Sequence, residues 1–525
     1  MSPQPDGESS PSPAVLWWVG VGLWAAGTVL AVSTGREVGF AWAEEDYLDH
    51  LDLLEGWLSA LWNQGLTSVV ADQTDLVWTR LRYWNPHPPG PKWAAILLRH
   101  LVPGLGFPSA ERLFSGLCYG GLAAVAWWMV AARAGASAGA VAAAAVALSP
   151  RVLGHAQFLT HDVPLLFFWL AGMAAQERHA ATRSPRWFLL ATASVVLATA
   201  CKINGILLLV PWAVLLAWSG QGGWRGRVQD ALGLLAAALW AVLTLAVVFP
   251  LTWPDPLGMV VDLFDEARQR AKLLPFSAYY LGQYARSTEL PWHFVVVIPL
   301  VCVPVQTVGA AVLGALSRAP VGLWRACMVH AGFMVLLYLR PNTPRYDNDR
   351  QLLVLFPVLG VMAALGFTRA LAVVRPRAGA VPAAAALLCG SLVYSLSAAL
   401  PLPLSAYSFL VGGLPGAVAH GFEPTYYMEA LTPGILEEAQ RLLPQDAALT
   451  TYPNQNLAFF LKRRGYLRAD VRPTYYVGPY HLVVHRHPPP GSPMETALTK
   501  GRLLAQWQVD GVTVVSLHFT RMELE

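Results

Sequence analysis

The chain has 525 residues, of which 55% are hydrophobic and 13% charged, against roughly 25% charged in an ordinary soluble domain. Together with a mean hydropathy of +0.44, this excludes a plain soluble enzyme and points to a polytopic membrane protein. The formal charge of +4 gives no argument for a nucleic-acid partner. Cys118, Cys201, Cys302, Cys327 and Cys389 all fall inside apolar runs, at spacings that suit neither a zinc site nor a disulfide framework. They read as small core residues.

Residues 1–12, rich in Ser, Pro and Gly, read as a disordered cytoplasmic tail. The apolar run at 14–33 has no Lys or Arg before it, so it lacks the n-region of a signal peptide and is taken as an uncleaved first span. Further runs of about span length lie near 111–132, 136–149, 162–176, 187–201, 203–218, 229–249, 292–314, 321–339, 351–369 and 379–399, giving eleven candidates. Between them, Arg133, Arg178, Arg183, Arg186, Arg225, Arg227, Arg318, Arg325, Arg369, Arg375 and Arg377 fall on one side, which the positive-inside rule makes cytoplasmic. The other side receives the long segments 34–110 and 250–291, the charged loop 340–350 and everything after about 400. The division expected is a transmembrane domain over 13–403 and an extracytoplasmic α/β domain over 404–525. That domain should hold a helix near 433–443, a strand at 447–452, a helix near 454–464, a strand at 481–485 and a hairpin turning at Asp510-Gly511.

Ionisable residues cluster in the outer loops, where a reaction is most readily run. Glu44, Glu45 and Asp46 precede a stretch with Leu48, Leu51, Leu54, Trp57, Leu58 and Leu61 at helical spacing, which predicts an interfacial helix with its apolar face on the bilayer. Asp49, Asp52 and Glu55 read as its solvated face. For Glu44, Glu45 and Asp46, helix capping and catalysis both stand. In His87-Pro88-Pro89-Gly90-Pro91-Lys92 the prolines hold His87 and Lys92 in a fixed relation. His155 and Asp162 stand at the mouth of an apolar run, where an Asp needs a partner or a wet cavity unless it merely caps a helix. Lys202 and Asn204 read as a plain outer turn. The loop 340–350 carries Arg340, Arg345 and Arg350 on the side that disfavours them, which suits an anionic ligand such as a phosphate; pairing with Asp347 and Asp349 is the alternative.

Taken in order, the first-loop acids with Tyr47, the His-Pro-Pro-x-x-Lys motif, His155 with Asp162, Tyr279-Tyr280-Leu281-Gly282-Gln283-Tyr284 before Pro291-Trp292, and Arg350 through Pro357 resemble the GT-C membrane glycosyltransferases. The likeness is to glycosyltransferase family 39, the protein O-mannosyltransferase and aminoarabinose-transferase group, over about residues 14–430. It implies a GT-C all-α membrane fold and an inverting hexosyl or pentosyl transferase. The sugar would come from a polyprenyl-phosphate donor and go to a protein, lipid or glycan acceptor on the outer face of a cell or inner membrane. The partners implied are that donor, the acceptor and membrane lipid. No organic cofactor follows from it, and a divalent metal is left open. In such a family a first-loop carboxylate serves as general base or acceptor positioner, Asp162 helps build the pocket, and Lys92, Arg345 and Arg350 hold the lipid phosphate. His87, His155, Tyr279, Tyr280 and Gln283 would line the pocket. The family's usual Asp-Glu, with Tyr three residues after the Glu, places Ala43 at the Asp position and Glu44 at the Glu position. The base then lies among Glu44, Glu45, Asp46 and Asp162, or the chain is a catalytically silent, sugar-lipid-binding member. A transporter would need charges near the midplane and broken helices in two matching repeats, and neither pattern is visible.

Overall fold

The structure, a computed structural model, describes residues 10–42, 44–65, 87–220, 223–249, 253, 255–273, 276–375, 377, 379–475 and 478–521. Ala43, the position where the resemblance asks for an Asp, lies outside them.

The first half is helical: α1 (Pro13–Gly35), α2 (Glu44–Gln64), α3 (Gly90–Leu101), α4 (Ser109–Ala134), α5 (Ala136–Ala147), α6 (Pro150–Ala156), α7 (Asp162–Thr182), α8 (Pro185–Cys201), α9 (Leu209–Ser219), α10 (Gly223–Val248) and α11 (Pro256–Leu273). A hairpin, β1 (Ser277–Tyr280) and β2 (Gln283–Arg286), precedes α12 (Phe294–Cys302), α13 (Val305–Ala315), α14 (Val321–Leu339), α15 (Leu355–Val374), α16 (Ala380–Ala399) and the short α17 (Gly413–Ala419). Pro13 opens α1 after the cap Ser12, a position where proline's missing N–H leaves no hydrogen bond unmade.

Each of the eleven apolar runs falls on helical chain, but not each on one long helix. Among the described residues six helices, α1, α4, α10, α14, α15 and α16, are long and apolar enough to cross a membrane, or seven if α5 and α6, bent by 58° at their junction, form one span. The run at 292–314 divides into α12 and α13 at Val303-Pro304, where proline cannot donate to the preceding turn. Two helix crossings depend on glycine. A Cβ on Gly120 of α4 would stand 2.1 Å from the Trp24 carbonyl oxygen of α1, and one on Gly366 of α15 would stand 1.8 Å from the Ala310 carbonyl oxygen of α13. Small residues let backbones approach where no hydrophobic force acts between helices in lipid.

The last part contains α18 (Pro433–Leu442), β3 (Ala448–Tyr452), α19 (Asn456–Arg463), β4 (Arg472–Pro473), β5 (Tyr480–Val484), α20 (Pro493–Lys500), β6 (Arg502–Val509) and β7 (Val512–Phe519). The sheet order is β4-β3-β5-β7-β6. Strand β3 runs parallel to β4 and β5, while β5–β7 and β6–β7 are antiparallel. Asp510 and Gly511 both take positive φ, 50° and 77°, as a two-residue hairpin with matching twist requires. The expected helices, strands and hairpin all form, and β4 and α20 are additions.

Helix α2 departs from expectation in what it covers. Its apolar face, Leu48, Leu51, Leu54 and Trp57, is buried within the protein, and only Leu58 and Trp62 toward its end are exposed. The acids expected to be merely solvated instead connect three elements. Asp52 pairs with Arg99 of α3 at 2.9 Å and with Arg464, just past α19, at 2.7 Å; Asp49 pairs with Arg463 and Arg464. The sheet-containing C-terminal part is therefore tied to α2 by charge and to Phe40 by ring packing.

Candidate active site

Four segments converge at one end of the helical part: the first turn of α2, the start of α3, the start of α7 with the residues after α8, and the loop 340–350. Asp162, the first residue of α7, is buried. Its Oδ1 accepts from Lys202 Nζ at 2.8 Å and its Oδ2 from Arg350 Nε at 2.8 Å. Arg350 continues to Asp347 through Nη1 at 3.2 Å. One carboxylate thus anchors two cations from distant parts of the chain, with Asp347 partly balancing the second. Buried charges in this number are tolerated only when paired.

His161 precedes Asp162. Its Nδ1 lies 2.8 Å from the Cys201 carbonyl, which fixes the proton on that nitrogen, and its buried Nε2 has no partner among the described residues. The Tyr47 ring stands edge-on to His161 at 4.9 Å, and the His87 ring is tilted against His161 at 5.1 Å. Lys92, on the first turn of α3, is buried, with Nζ 5.4 Å from the centre of the Tyr47 ring. Burial pulls its ammonium down to about 7, with Asp46 only partly opposing. Lys92 therefore gives up its charge far more readily than a surface lysine.

The three consecutive acids of α2 have three different environments. Glu44 is fully buried and fully engaged: it accepts from Arg112 Nε at 2.8 Å and Nη2 at 2.7 Å, from the Leu159 N–H at 2.8 Å and from the Ala41 N–H at 3.3 Å. Glu45 is also buried, and Asn454, from the loop between β3 and α19, donates to its Oε1, while its Oε2 has no partner among the described residues. Burial first, then the Asp46 charge, pushes this carboxyl up to about 8. Asp46 is only partly buried; burial and then Asp49 raise it to about 6, against the pull of Lys92 and Arg463.

A second buried pair supports the first. Asp349 accepts from Arg151 Nη1 at 3.3 Å and lies 3.3 Å from His155 Nε2. Burial alone would raise its carboxyl, but Arg151 and His155 hold it below the usual range. His155 also stands edge-on to Tyr427, whose hydroxyl donates to the Asp347 carbonyl at 2.6 Å. The loop bearing Arg350 is thereby fastened on both sides of the arginine.

The structure brings together Asp46, His87, Lys92, Asp162 and Arg350; Glu44 and Glu45, on the same helical turn as Asp46, are engaged with Arg112 and Asn454 instead, and His155 is bonded to Asp349, next to Arg350. The remaining predicted residues sit elsewhere. Arg345 donates from Nη1 to the Pro291 carbonyl at 3.2 Å and is tied by its backbone to Ser287. Tyr279 stacks on His487 at 3.9 Å, Tyr280 bonds His293 at 2.8 Å, and Gln283 is exposed on β2. Their hairpin meets the connector after α17, where the Gly282 N–H donates to the Gly421 carbonyl at 3.0 Å. Lys202, a plain turn residue by its sequence, is instead a buried partner of Asp162. Its signal in the sequence is a lone lysine inside an apolar stretch, and such a charge needs a partner. Arg112 and Asn454 gave no comparable signal, because their partners lie 68 and 409 residues away. Among the described residues, no three His, Cys, Asp or Glu side chains are grouped to hold a metal ion.

The net arrangement is two buried lysines, Lys92 and Lys202, and a half-buried arginine, Arg350, with a carboxylate, Asp46, within reach of the Lys92 charge and raised to about 6. Such a site can hold an anion and accept a proton from a neighbouring hydroxyl. Residues 86–253 match the family model described as dolichyl-phosphate-mannose-protein mannosyltransferase. This segment begins beside the His-Pro-Pro motif and contains Lys92, Asp162 and Lys202, and over it the chain resembles the GT-C membrane glycosyltransferases. No curated protein matches. Two crystal structures of ArnT from Cupriavidus metallidurans, one apo and one bound to undecaprenyl phosphate, each align over 96% of this chain and 98% of their own, at 15% identity and a TM-score of 0.48.

Proposed function

We propose, from the likeness to GT-C glycosyltransferases over residues 86–253, that this chain transfers a sugar from a polyprenyl-phosphate donor to an acceptor hydroxyl at the outer face of the membrane. The observation that carries the reading is the junction at Asp162, where Lys202 and Arg350 are both held at 2.8 Å next to buried Lys92 and part-buried Asp46. The reaction is a single displacement. The acceptor oxygen attacks the anomeric carbon, the carbon–oxygen bond to phosphate breaks with its electrons staying on the phosphate, and the configuration inverts.

In this reading Lys92 and Arg350 stabilise charge on the leaving phosphate, the role preorganised cations play wherever negative charge develops. Lys202 keeps Asp162, and through it Arg350, in place. Asp46 is the general base. Glu44 has its oxygens committed to Arg112 and two backbone N–H groups, and Glu45, at about 8, is mostly protonated at neutral pH. Asp46, at about 6, is mostly ionised there and still basic enough to take a proton. Donor binding by the full chain, measured with a polyprenyl-phosphate sugar, tests the phosphate assignment. Losing one charge-assisted contact weakens binding by roughly 1.5–3 kcal/mol, so Lys92→Ala and Arg350→Ala should each lose about ten-fold to a hundred-fold. Wild-type affinity in both would remove the assignment.

A further inference from the structure

At the far end of the same helices lies an open cavity of about 330 Å³ lined by α7, α8, α9 and α10, within the roughly 300–1,000 Å³ range of small-ligand sites. It is remote from the junction at Asp162: His179, on its wall, lies some 25 Å along α7 at about 1.5 Å per residue. Its polar lining is His179, Arg183, Gln229 and Asp230, and Phe188, Trp212 and Leu234 contribute much of its apolar lining. This lining is built. Arg183, in left-handed conformation at the end of α7, is bonded to Asp230 of α10 and donates to Ser219 Oγ at 2.9 Å. Trp212 Nε1 donates to His179 Nδ1 at 3.3 Å, which leaves the histidine's proton on Nε2.

The surroundings specify the occupant. This end of the helices carries Arg133, Arg178, Arg183, Arg186, Arg225 and Arg227 against two acids, Glu177 and Asp230, and both acids are already ion-paired. On α10 the residues facing the cavity are Gly226, Gln229, Asp230, Gly233 and Leu234, so Arg225 and Arg227 flank that face at its first turn. Trp224, on the first turn of α10, is exposed, as tryptophans are at a headgroup level. We propose that the cavity binds the headgroup of an anionic phospholipid, with the phosphate near Arg225 and Arg227 and the glycerol backbone against Phe188 and Leu234. The site is separate from the proposed sugar-donor site and does not depend on it.

The test is native mass spectrometry and thermal denaturation of the full-length protein in neutral detergent, with added phosphatidylglycerol, phosphatidylethanolamine or inorganic phosphate. Phosphatidylglycerol should be retained and raise the melting temperature, while phosphatidylethanolamine and inorganic phosphate should not. With each surface cation worth about 1 kcal/mol toward an anionic lipid, Arg225→Gln with Arg227→Gln should weaken retention about thirty-fold. Leu234→Trp keeps every charge and fills the space, so it should lose retention as well, which a diffuse surface attraction would not. Retention by Leu234→Trp equal to wild type, or an equal response to phosphatidylethanolamine, would overturn the proposal.

Discussion

Asp162 and Arg350 stand 188 residues apart in sequence and are joined at 2.8 Å through Oδ2 and Nε, while the other oxygen of Asp162 holds Lys202 at the same distance. The carboxylate is the common partner of a buried lysine and a half-buried arginine. Asp162→Asn should therefore leave two charges without full compensation, and breaking such a buried pair costs about 3–5 kcal/mol. The variant is expected to melt well below wild type and to bind donor poorly. If Asp162→Asn keeps wild-type stability, the junction does not organise this end of the protein.

The proposed mechanism gives Glu44 a structural role and Asp46 a chemical one within one helical turn. Glu44→Gln leaves Arg112 buried and short of a counter-charge, so it should lose stability of about 3–5 kcal/mol. The molecules that remain folded should transfer sugar at close to the wild-type rate. Parallel measurement of melting temperature and turnover decides this. A normally folded but inactive Glu44→Gln would move the base from Asp46 to Glu44.

Much of this was legible in the sequence, and the unread portion has a definite physical cause. The helical character of the apolar runs follows from local periodicity, and the C-terminal helices and strands and the Asp510-Gly511 turn lie within a few residues of where periodicity and turn chemistry place them. The lengths of individual spans were less legible, since a run such as 292–314 reads as one helix until the proline at 304 is set in its turn. The pairing of the charges was not legible at all. Asp49 and Asp52 look like a solvated face because Arg463 and Arg464 are over 400 residues further on. Lys202 looks like a turn residue until Asp162 is seen to need it. Arg345 and Arg350 look equivalent in one loop, yet one holds a backbone carbonyl and the other a buried carboxylate.

The pH dependence of donor binding should follow Lys92. With its ammonium pulled down to about 7, the empty site loses that charge as pH rises, and a bound phosphodiester needs it restored. Affinity should be nearly constant below pH 6 and weaken toward ten-fold per unit well above 7; ionisation of Asp46 near 6 acts in the same direction. Lys92→Arg keeps its charge throughout and should flatten the alkaline limb. Titration calorimetry between pH 5.5 and 9 reads this, and a flat wild-type profile would contradict it.

Glu45 makes a separate prediction about stability. Its carboxyl is raised from 4.5 to about 8, so between these values the folded chain binds more protons than the unfolded one. Stability must then fall as pH rises through that window. Glu45→Gln retains a group for Asn454 to bond and removes the titration. The difference in melting temperature between variant and wild type should move in the variant's favour from pH 5 to 8, and a difference independent of pH would show that Glu45 does not hold its proton.

The most direct test of the central claim is sugar transfer in proteoliposomes by the full-length protein, supplied with mixed radiolabelled polyprenyl-phosphate sugars and an acceptor fraction from the membrane's outer face. Wild type should release polyprenyl phosphate and label the acceptor, and Asp46→Asn, folded and still binding donor, should be slower by about 10²–10⁴, the usual effect of removing a general base. Donor binding without transfer by the wild type would mark the chain as a silent sugar-lipid-binding protein, and transfer by Asp46→Asn at the wild-type rate would contradict the assignment of the base.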